Sequence, residues 1–202
     1  MIMPGSIGMV DQAIARGAVQ VPEELIRMLD VLREAQPRNI MEIGSEAGGT
    51  FWLWCQVATL GGIKISIDKP DGSSGSGRFV QPVALKKRTE EFKAFAPRVE
   101  VITGDSHSPL VKSRVRTVLG EELLDFLFID GDHSYEGVKA DFEDYREFVR
   151  RGGLIAFHDV KDTQFHRERG CFVADFWAEL SIEGKREFSS PCGWGGIGII
   201  EN

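Results

Sequence analysis

Short apolar runs alternate with longer amphipathic stretches along this chain, and that alternation limits its fold more than any other feature. Asn39-Ile40-Met41-Glu42-Ile43, Ile63 to Asp68, Val99 to Ile102, Leu124 to Asp130 and Gly153 to His158 each have the length and composition of a strand. Strand-like runs that alternate with helical patterns imply a parallel sheet covered on both faces. Arg186-Glu187-Phe188 and Ile197 to Ile200 add two closing strands, for seven in all. The last two are expected to form an antiparallel, hairpin-like edge.

The helical stretches carry their own signals. Tyr135, Val138, Phe142, Tyr145 and Val149 recur at steps of three and four, which predicts one helix over 134–151. Asp132 or Ser134 would cap its start and Gly152-Gly153 would end it. Arg146, Arg150 and Arg151 would then sit at its C-terminal end, where cations suit the helix dipole. An earlier helix, Pro22 to Ala35, places Leu25, Met28, Leu29 and Leu32 on one face. Residues 1–36 are therefore expected to be a helical segment packing on or capping the core, and residues 37–202 a single α/β domain. Val160 to Gly170 reads as a polar loop or mobile cover. Phe172, Phe176, Trp177 and Leu180 suggest a further helix. Asp71 to Gly77 is a flexible loop tip by composition.

Composition narrows the function. With 202 residues and 42% hydrophobic content, the chain supports one sizeable core. Its 24 Lys+Arg against 31 Asp+Glu give a net charge of −7, which argues against a uniformly basic nucleic-acid face. Cys55, Cys171 and Cys192 form neither an even disulfide framework nor a CxxC pair, as expected of a protein in a reducing cytoplasm. No signal-peptide pattern and no membrane-length apolar run is present.

The first strand leads into Glu42-Ile43-Gly44-Ser45-Glu46-Ala47-Gly48-Gly49-Thr50. Glycines at a strand-to-helix turn let a ligand approach the backbone. The spacing is neither GxGxxG nor that of a phosphate-binding P-loop. Glu42 and Glu46 would repel a pyrophosphate, but they suit a ligand carrying an ammonium and a sulfonium, which points to S-adenosylmethionine. Asp68 ends the second strand about twenty residues further on, where an acid can accept from a ribose diol. Asp105 and Ser106 follow the third strand, and Asp105 can reach an adenine amino group. Asp130-Gly131-Asp132-His133 closes the fourth strand, and His158-Asp159 closes the fifth. Adjacent strands would bring Asp130 and Asp159 together. Two crowded carboxylates repel unless a cation or proton lies between them, so a divalent ion is expected there, Mg²⁺ first, with Mn²⁺, Zn²⁺ or Fe²⁺ also compatible.

On these motifs the chain resembles the class I methyltransferases grouped with cephalosporin hydroxylase-like and macrocin O-methyltransferase-like proteins. The resemblance rests on Glu42-Ile43-Gly44 with Gly48-Gly49-Thr50, on Ile129-Asp130-Gly131-Asp132-His133-Ser134-Tyr135, and on Gly152-Gly153 with His158-Asp159. Trp194-Gly195-Gly196-Ile197-Gly198 resembles the family's last strand. It implies a Rossmann-like, seven-stranded, mostly parallel sheet with an antiparallel last strand, and metal ligation by Asp130 and the pair after the fifth strand. Related metal-dependent O-methyltransferases often carry Asp-Asp or Asp-Asn at that pair. His158-Asp159 departs from this and puts the identity of the metal in question. A two-histidine, one-carboxylate oxygen-activating centre from His133, His158 and Asp159 would sit awkwardly beside a methyl-donor pocket.

The resulting expectation is metal-assisted O-methylation of a small hydroxylated acceptor, with His133 as base and Asp130 beside it, and Glu42, Gly44, Ser45, Gly48, Gly49, Thr50, Asp68, Asp105 and Ser106 around the methyl donor. His158 would be either a ligand or a packing residue. Phe172, Trp177 and Trp194 would line the acceptor pocket or pack in the core. Neither a nucleic-acid nor a membrane partner is expected, and a homo-oligomer is compatible with the sequence. The rival readings are a nicotinamide-dependent oxidoreductase and a non-catalytic cofactor-binding or interaction module.

Overall fold

A computed structural model describes residues 5–69, 91–93 and 96–202. The loop tip expected at Asp71 to Gly77 lies outside the described residues. The strands are β1 (Ile40–Ile43), β2 (Lys64–Asp68), β3 (Val99–Thr103), β4 (Leu124–Ile129), β5 (Val149–His158), β6 (Arg186–Phe188) and β7 (Ile197–Glu201). They form one sheet in the order β3-β2-β1-β4-β5-β7-β6. The first five run parallel, and β7 is antiparallel to both β5 and β6. β7 thus slots between β5 and β6. The strand order reverses between β1 and β4, the point at which open α/β sheets bind ligands beyond their strand ends.

Side-chain alternation splits the core into two layers. Ile40, Phe126 and Phe128 pack under α1 (Ser6–Ala15), α2 (Pro22–Ala35) and α3 (Gly49–Val57). Met41, Ile43, Leu127 and Ile129 face the other way, towards α4 (Pro109–Leu119), α5 (Tyr135–Tyr145) and α7 (Val173–Glu179). A single-turn helix, α6 (Gln164–Arg167), lies within the polar stretch expected to be a loop. Among the described residues, no helix is long and apolar enough to cross a membrane.

One expected helix is shorter than its periodicity suggests. α5 stops at Tyr145, a short 3₁₀ turn follows, and Val149 begins β5 by pairing with Leu124. Val149 continues the helical stripe in spacing, but as a β-branched residue opposite an open strand edge it is used in the sheet. The register then jumps to Phe126↔Leu154, so the stretch from Arg150 to Gly153 bulges. Gly152, at φ 72°, makes that bend. Arg150 consequently pairs with Asp125 at 2.6 Å instead of facing a helix dipole. At the other end of α5, Ser134 Oγ accepts from the Gly137 N–H at 3.0 Å, and Asp132 Oδ1 accepts from the Ser134 N–H at 2.9 Å.

Candidate active site

A cavity of about 450 Å³ opens at the C-terminal ends of β1, β2, β4 and β5, within the roughly 300–1,000 Å³ range of small-molecule sites. Gly44, Ser45, Thr50, Asp68, Ser106, Asp130, His133, His158 and Asp159 all line it, as the sequence positions them. Glu42, Gly48, Gly49 and Asp105 do not.

Each of these four is elsewhere for a physical reason. Glu42 is fully buried beneath the glycine turn. Burial, with Asp130 and Asp68 adding repulsion, pushes its carboxyl well above the usual range. Gly48, at φ 79°, caps α3. A Cβ on Gly49 would lie 2.2 Å from the Ala18 nitrogen, so this glycine admits the segment between α1 and α2. Asp105 is drawn outward, 3.5 Å from Lys69, and accepts from the His107 N–H at 3.1 Å. Gly44 lines the cavity, yet a Cβ there would meet the Asp130 carbonyl oxygen at 1.9 Å. Its small size is needed for packing β1 against β4.

Asp68, at the end of β2, has no ion-pair partner among the described residues. Burial raises its pKa to about 6; backbone N–H groups of Lys69 and Glu46 offset this in part, while the Glu46 and Asp130 charges add to it. Gln20, from the N-terminal segment, bridges the two sides of the cavity. Its Nε2 donates to Asp130 Oδ2 at 2.6 Å and its Oε1 accepts from Thr50 Oγ1 at 2.8 Å.

The β4–β5 wall is arranged differently. Successive strand residues face opposite ways, but Asp159 adopts φ 60°, and that left-handed turn lets both His158 and Asp159 face the cavity. His158 Nδ1 lies 3.1 Å from Asp130 Oδ1 and 3.3 Å from Asp159 Oδ1. His133 spans the same pair, with Nε2 3.3 Å from Asp130 Oδ1 and Nδ1 3.4 Å from Asp159 Oδ2. His166 brings Nε2 to 3.1 Å from Asp159 Oδ1 and is held by the Lys161 carbonyl and the Gly195 N–H.

Electrostatics follow from this interleaving. Burial alone would raise Asp130 and Asp159, but the surrounding imidazoles outweigh it and hold both carboxyls below their usual range. Burial alone would lower His158 and His133, but the two carboxylates outweigh it. His158 rises to about 9, and His133 rises well above its ordinary value. Histidines therefore supply the positive charge between the crowded carboxylates, where the sequence leads one to expect a divalent ion. The two carboxylates thus favour the protonated form of His133, the residue expected to act as base.

Gln20, His166 and Cys171 are among the lining residues that the sequence does not mark as site residues. Trp194 lines the cavity, with its ring centroid 6.4 Å from that of His158. Phe172 and Trp177 do not line it, and Trp177 packs in the core against Phe157.

A family model described as a methyltransferase domain matches residues 41–160. The chain belongs to this methyltransferase family. The match runs from β1 to just past Asp159 and so includes most of the cavity wall. Among curated relatives, the methyltransferase chain is 34% identical over 132 residues to an uncharacterised protein of Acanthamoeba polyphaga mimivirus, covering 65% of this chain and 56% of that protein. It is 25% identical over 151 residues to an uncharacterised protein of Sinorhizobium fredii, covering 72% of this chain and 15% of that one. The chain thus spans about half or less of the length of these relatives. Among solved structures, the fold is similar to the O-methyltransferase TomG of Streptomyces achromogenes in complex with S-adenosylmethionine, at TM-score 0.64 and 19% identity over 98% of this chain and 89% of that one. It is also similar to an O-methyltransferase of Bacillus cereus in complex with S-adenosylhomocysteine, at TM-score 0.63 and 19% identity over 99% and 92%.

Proposed function

We propose that this methyltransferase moves the methyl group of S-adenosylmethionine to an oxygen of a small hydroxylated acceptor. The observation that carries the reading is the uneven charge around the cavity. At the β1–β2 end, Asp68 and the buried Glu42 have no ion-pair partner among the described residues, and both are pushed up by burial and by neighbouring carboxylates. A donor bearing an ammonium and a sulfonium relieves that repulsion, whereas a pyrophosphate would increase it. Two fold neighbours are O-methyltransferases, which supports oxygen as the accepting atom.

The residues fit this donor. Asp68 is placed to accept from a ribose diol, while Gly44, Ser45 and Ser106 line the same end of the cavity. When bound, S-adenosylmethionine supplies a methyl group already activated by its sulfonium. The protein's part is to align the acceptor hydroxyl and remove its proton. His133, largely buried and facing the cavity, is the proposed base. It becomes able to accept a proton after losing its own to solvent as positive charge enters the site. Asp130 and Asp159 then orient the ring and stabilise it once it is protonated again.

A divalent cation fits Asp130, His158 and Asp159, whose candidate ligand atoms lie within 4.8 Å of one another. Asp159 Oδ1 is buried without a well-aligned hydrogen bond, as an oxygen available for coordination would be. Such an ion would lower the pKa of the acceptor hydroxyl. Three free cysteines support a reducing, cytoplasmic setting.

Calorimetry with S-adenosylhomocysteine and NAD side by side tests the reading, followed by turnover of S-adenosylmethionine with catechols, sugars and hydroxylated polyketides. Binding of S-adenosylhomocysteine alone, with its formation in the presence of an acceptor, is the expected result. Binding of NAD without S-adenosylhomocysteine would overturn the proposal.

A further inference from the structure

The ring of His133 faces two carboxylates, and only one of them has a thiol beside it. Cys171 Sγ lies 3.9 Å from Asp159 Oδ2, the same oxygen that His133 Nδ1 approaches to 3.4 Å. Candidate ligand atoms of His133, Asp159 and Cys171 all fall within 4.8 Å of one another. Tetrahedral zinc binds N and O at about 2.0–2.2 Å and S at about 2.3 Å, which puts neighbouring ligand atoms about 3.3–3.7 Å apart. The two separations from Asp159 Oδ2, 3.4 and 3.9 Å, are close to those edges.

We propose that His133, Asp159 and Cys171 form a binding site for a thiophilic divalent cation of the Zn²⁺ class, with His133 coordinating through Nδ1 and the remaining position open to the cavity. The donor set is the first reason. Thiol sulfur with imidazole nitrogen and one carboxylate suits a borderline or soft ion, whereas Mg²⁺ takes oxygen. The surroundings of the histidine are the second. Metal-bound imidazoles commonly donate their other N–H to a carboxylate, and His133 Nε2 faces Asp130 Oδ1 at 3.3 Å. Asp130 is itself fixed by Gln20 and His158. The backbone is the third. The Phe172 N–H donates to the His133 carbonyl at 2.8 Å, and the Cys171 N–H to the His166 carbonyl at 3.0 Å, which ties the loop bearing the thiol to the histidine.

Charge balances at this position. Coordination releases the thiol proton and any proton on His133 Nδ1 to solvent. The thiolate and the Asp159 carboxylate neutralise the ion, and Asp130 keeps His158 as its counter-charge. The site shares Asp159 with the Asp130–His158–Asp159 set and His133 with the proposed base, so an ion bound here excludes both that set and a base role for this ring. It does not depend on the methyl-transfer reading, because none of its ligands is needed for the ribose or glycine-turn contacts.

The test uses the full chain, freed of metal and titrated with Co²⁺ and then Zn²⁺ under anaerobic conditions. Bound Co²⁺ should show tetrahedral d–d bands and a near-ultraviolet thiolate charge-transfer band, both bleached by one equivalent of Zn²⁺. Cys171→Ser should abolish the charge-transfer band, and Cys192→Ser should keep it. Asp130→Asn should keep the band but weaken Zn²⁺ binding about 10–100-fold, as loss of a supporting carboxylate does. S-adenosylhomocysteine calorimetry on the wild type and each variant separates the readings: retained cofactor binding with no Co²⁺–thiolate band in the wild type overturns the metal site and leaves the methyl-transfer proposal intact. Persistence of the band in Cys171→Ser would also overturn it. The wild-type spectrum is decisive even if a variant fails to fold.

Discussion

The two ends of the cavity solve the same electrostatic problem in opposite ways. At the β1–β2 end, the buried Glu42 and the half-buried Asp68 have no ion-pair partner among the described residues, and burial raises both. At the β4–β5 end, Asp130 and Asp159 are crowded, but His133, His158 and His166 interleave with them and both stay low. In the proposed reaction one end receives positive charge from the methyl donor. The other already carries it as protons, and a metal ion binding there must displace them. Acidic residues in a sequence mark both ends alike; only the placement of the histidines separates them.

The largest effect should come where the two ends touch. Gly44→Val places a side chain into the Asp130 carbonyl, at a residue with φ 85°. Loss of soluble folded protein, or a large fall in melting temperature, is expected. A variant that folds normally and loses only cofactor affinity would show that ligand approach alone demands this glycine.

Next in size is His133→Asn. Removing a general base lowers kcat by about 10²–10⁴, while S-adenosylhomocysteine affinity should hardly change. Because the ligand-free site holds His133 protonated, the wild-type rate should rise with pH on a limb that the variant lacks. Near-normal kcat with an unaltered pH profile would remove His133 from proton transfer.

Asp68→Ala probes the other end and should cost about 1–3 kcal/mol of S-adenosylhomocysteine binding through lost charge-assisted hydrogen bonds. With a pKa of about 6 in the free protein, Asp68 is ionised above that value. A cationic ligand favours the ionised form, so affinity should fall as the pH drops below about 6. Calorimetry at several pH values checks both expectations, and an affinity independent of pH and of this substitution would break the contrast between the two ends.

The smallest effect lies away from both ends. His107 Nε2 sits 3.2 Å from the buried Asp141, and that contact chiefly raises its pKa to about 9. The folded value exceeds the unfolded one of about 6.5, so the stabilisation is complete below the unfolded value and is lost as pH rises through about 9. Asp141→Asn should remove about 1 kcal/mol of this pH-dependent stability, an amount suited to a partly exposed pair. Melting curves from pH 6 to 10 should differ between wild type and variant at the acidic end and converge at the alkaline end.

Much of the fold is legible in the sequence because buried strands read as apolar runs, and their C-terminal ends carry Asp68, Asp130 and His158. The end of α5 is not legible. Val149 fits the helical stripe, and only the open edge of β4 claims it for the sheet. Gln20 and Cys171 come from irregular segments and His166 from a single-turn helix too short to show a period; Gln20 meets Asp130 across 110 positions of sequence. The protonation of His133 depends on two carboxylates from two different strands, so it emerges only from the assembled wall.

The insertion of β7 between β5 and β6 has a consequence for how the molecule is made. β1 to β4 have all been synthesised by Ile129, and they supply the floor beneath Glu42 and Asp68. β5 then leaves the ribosome with one edge bare, and its antiparallel neighbour arrives only with Ile197–Glu201. During that interval His158 ends a strand with an unpaired rim, the kind of edge that recruits other chains. The histidine-bearing wall therefore gains its outer neighbour only once residues 197–201 are in place.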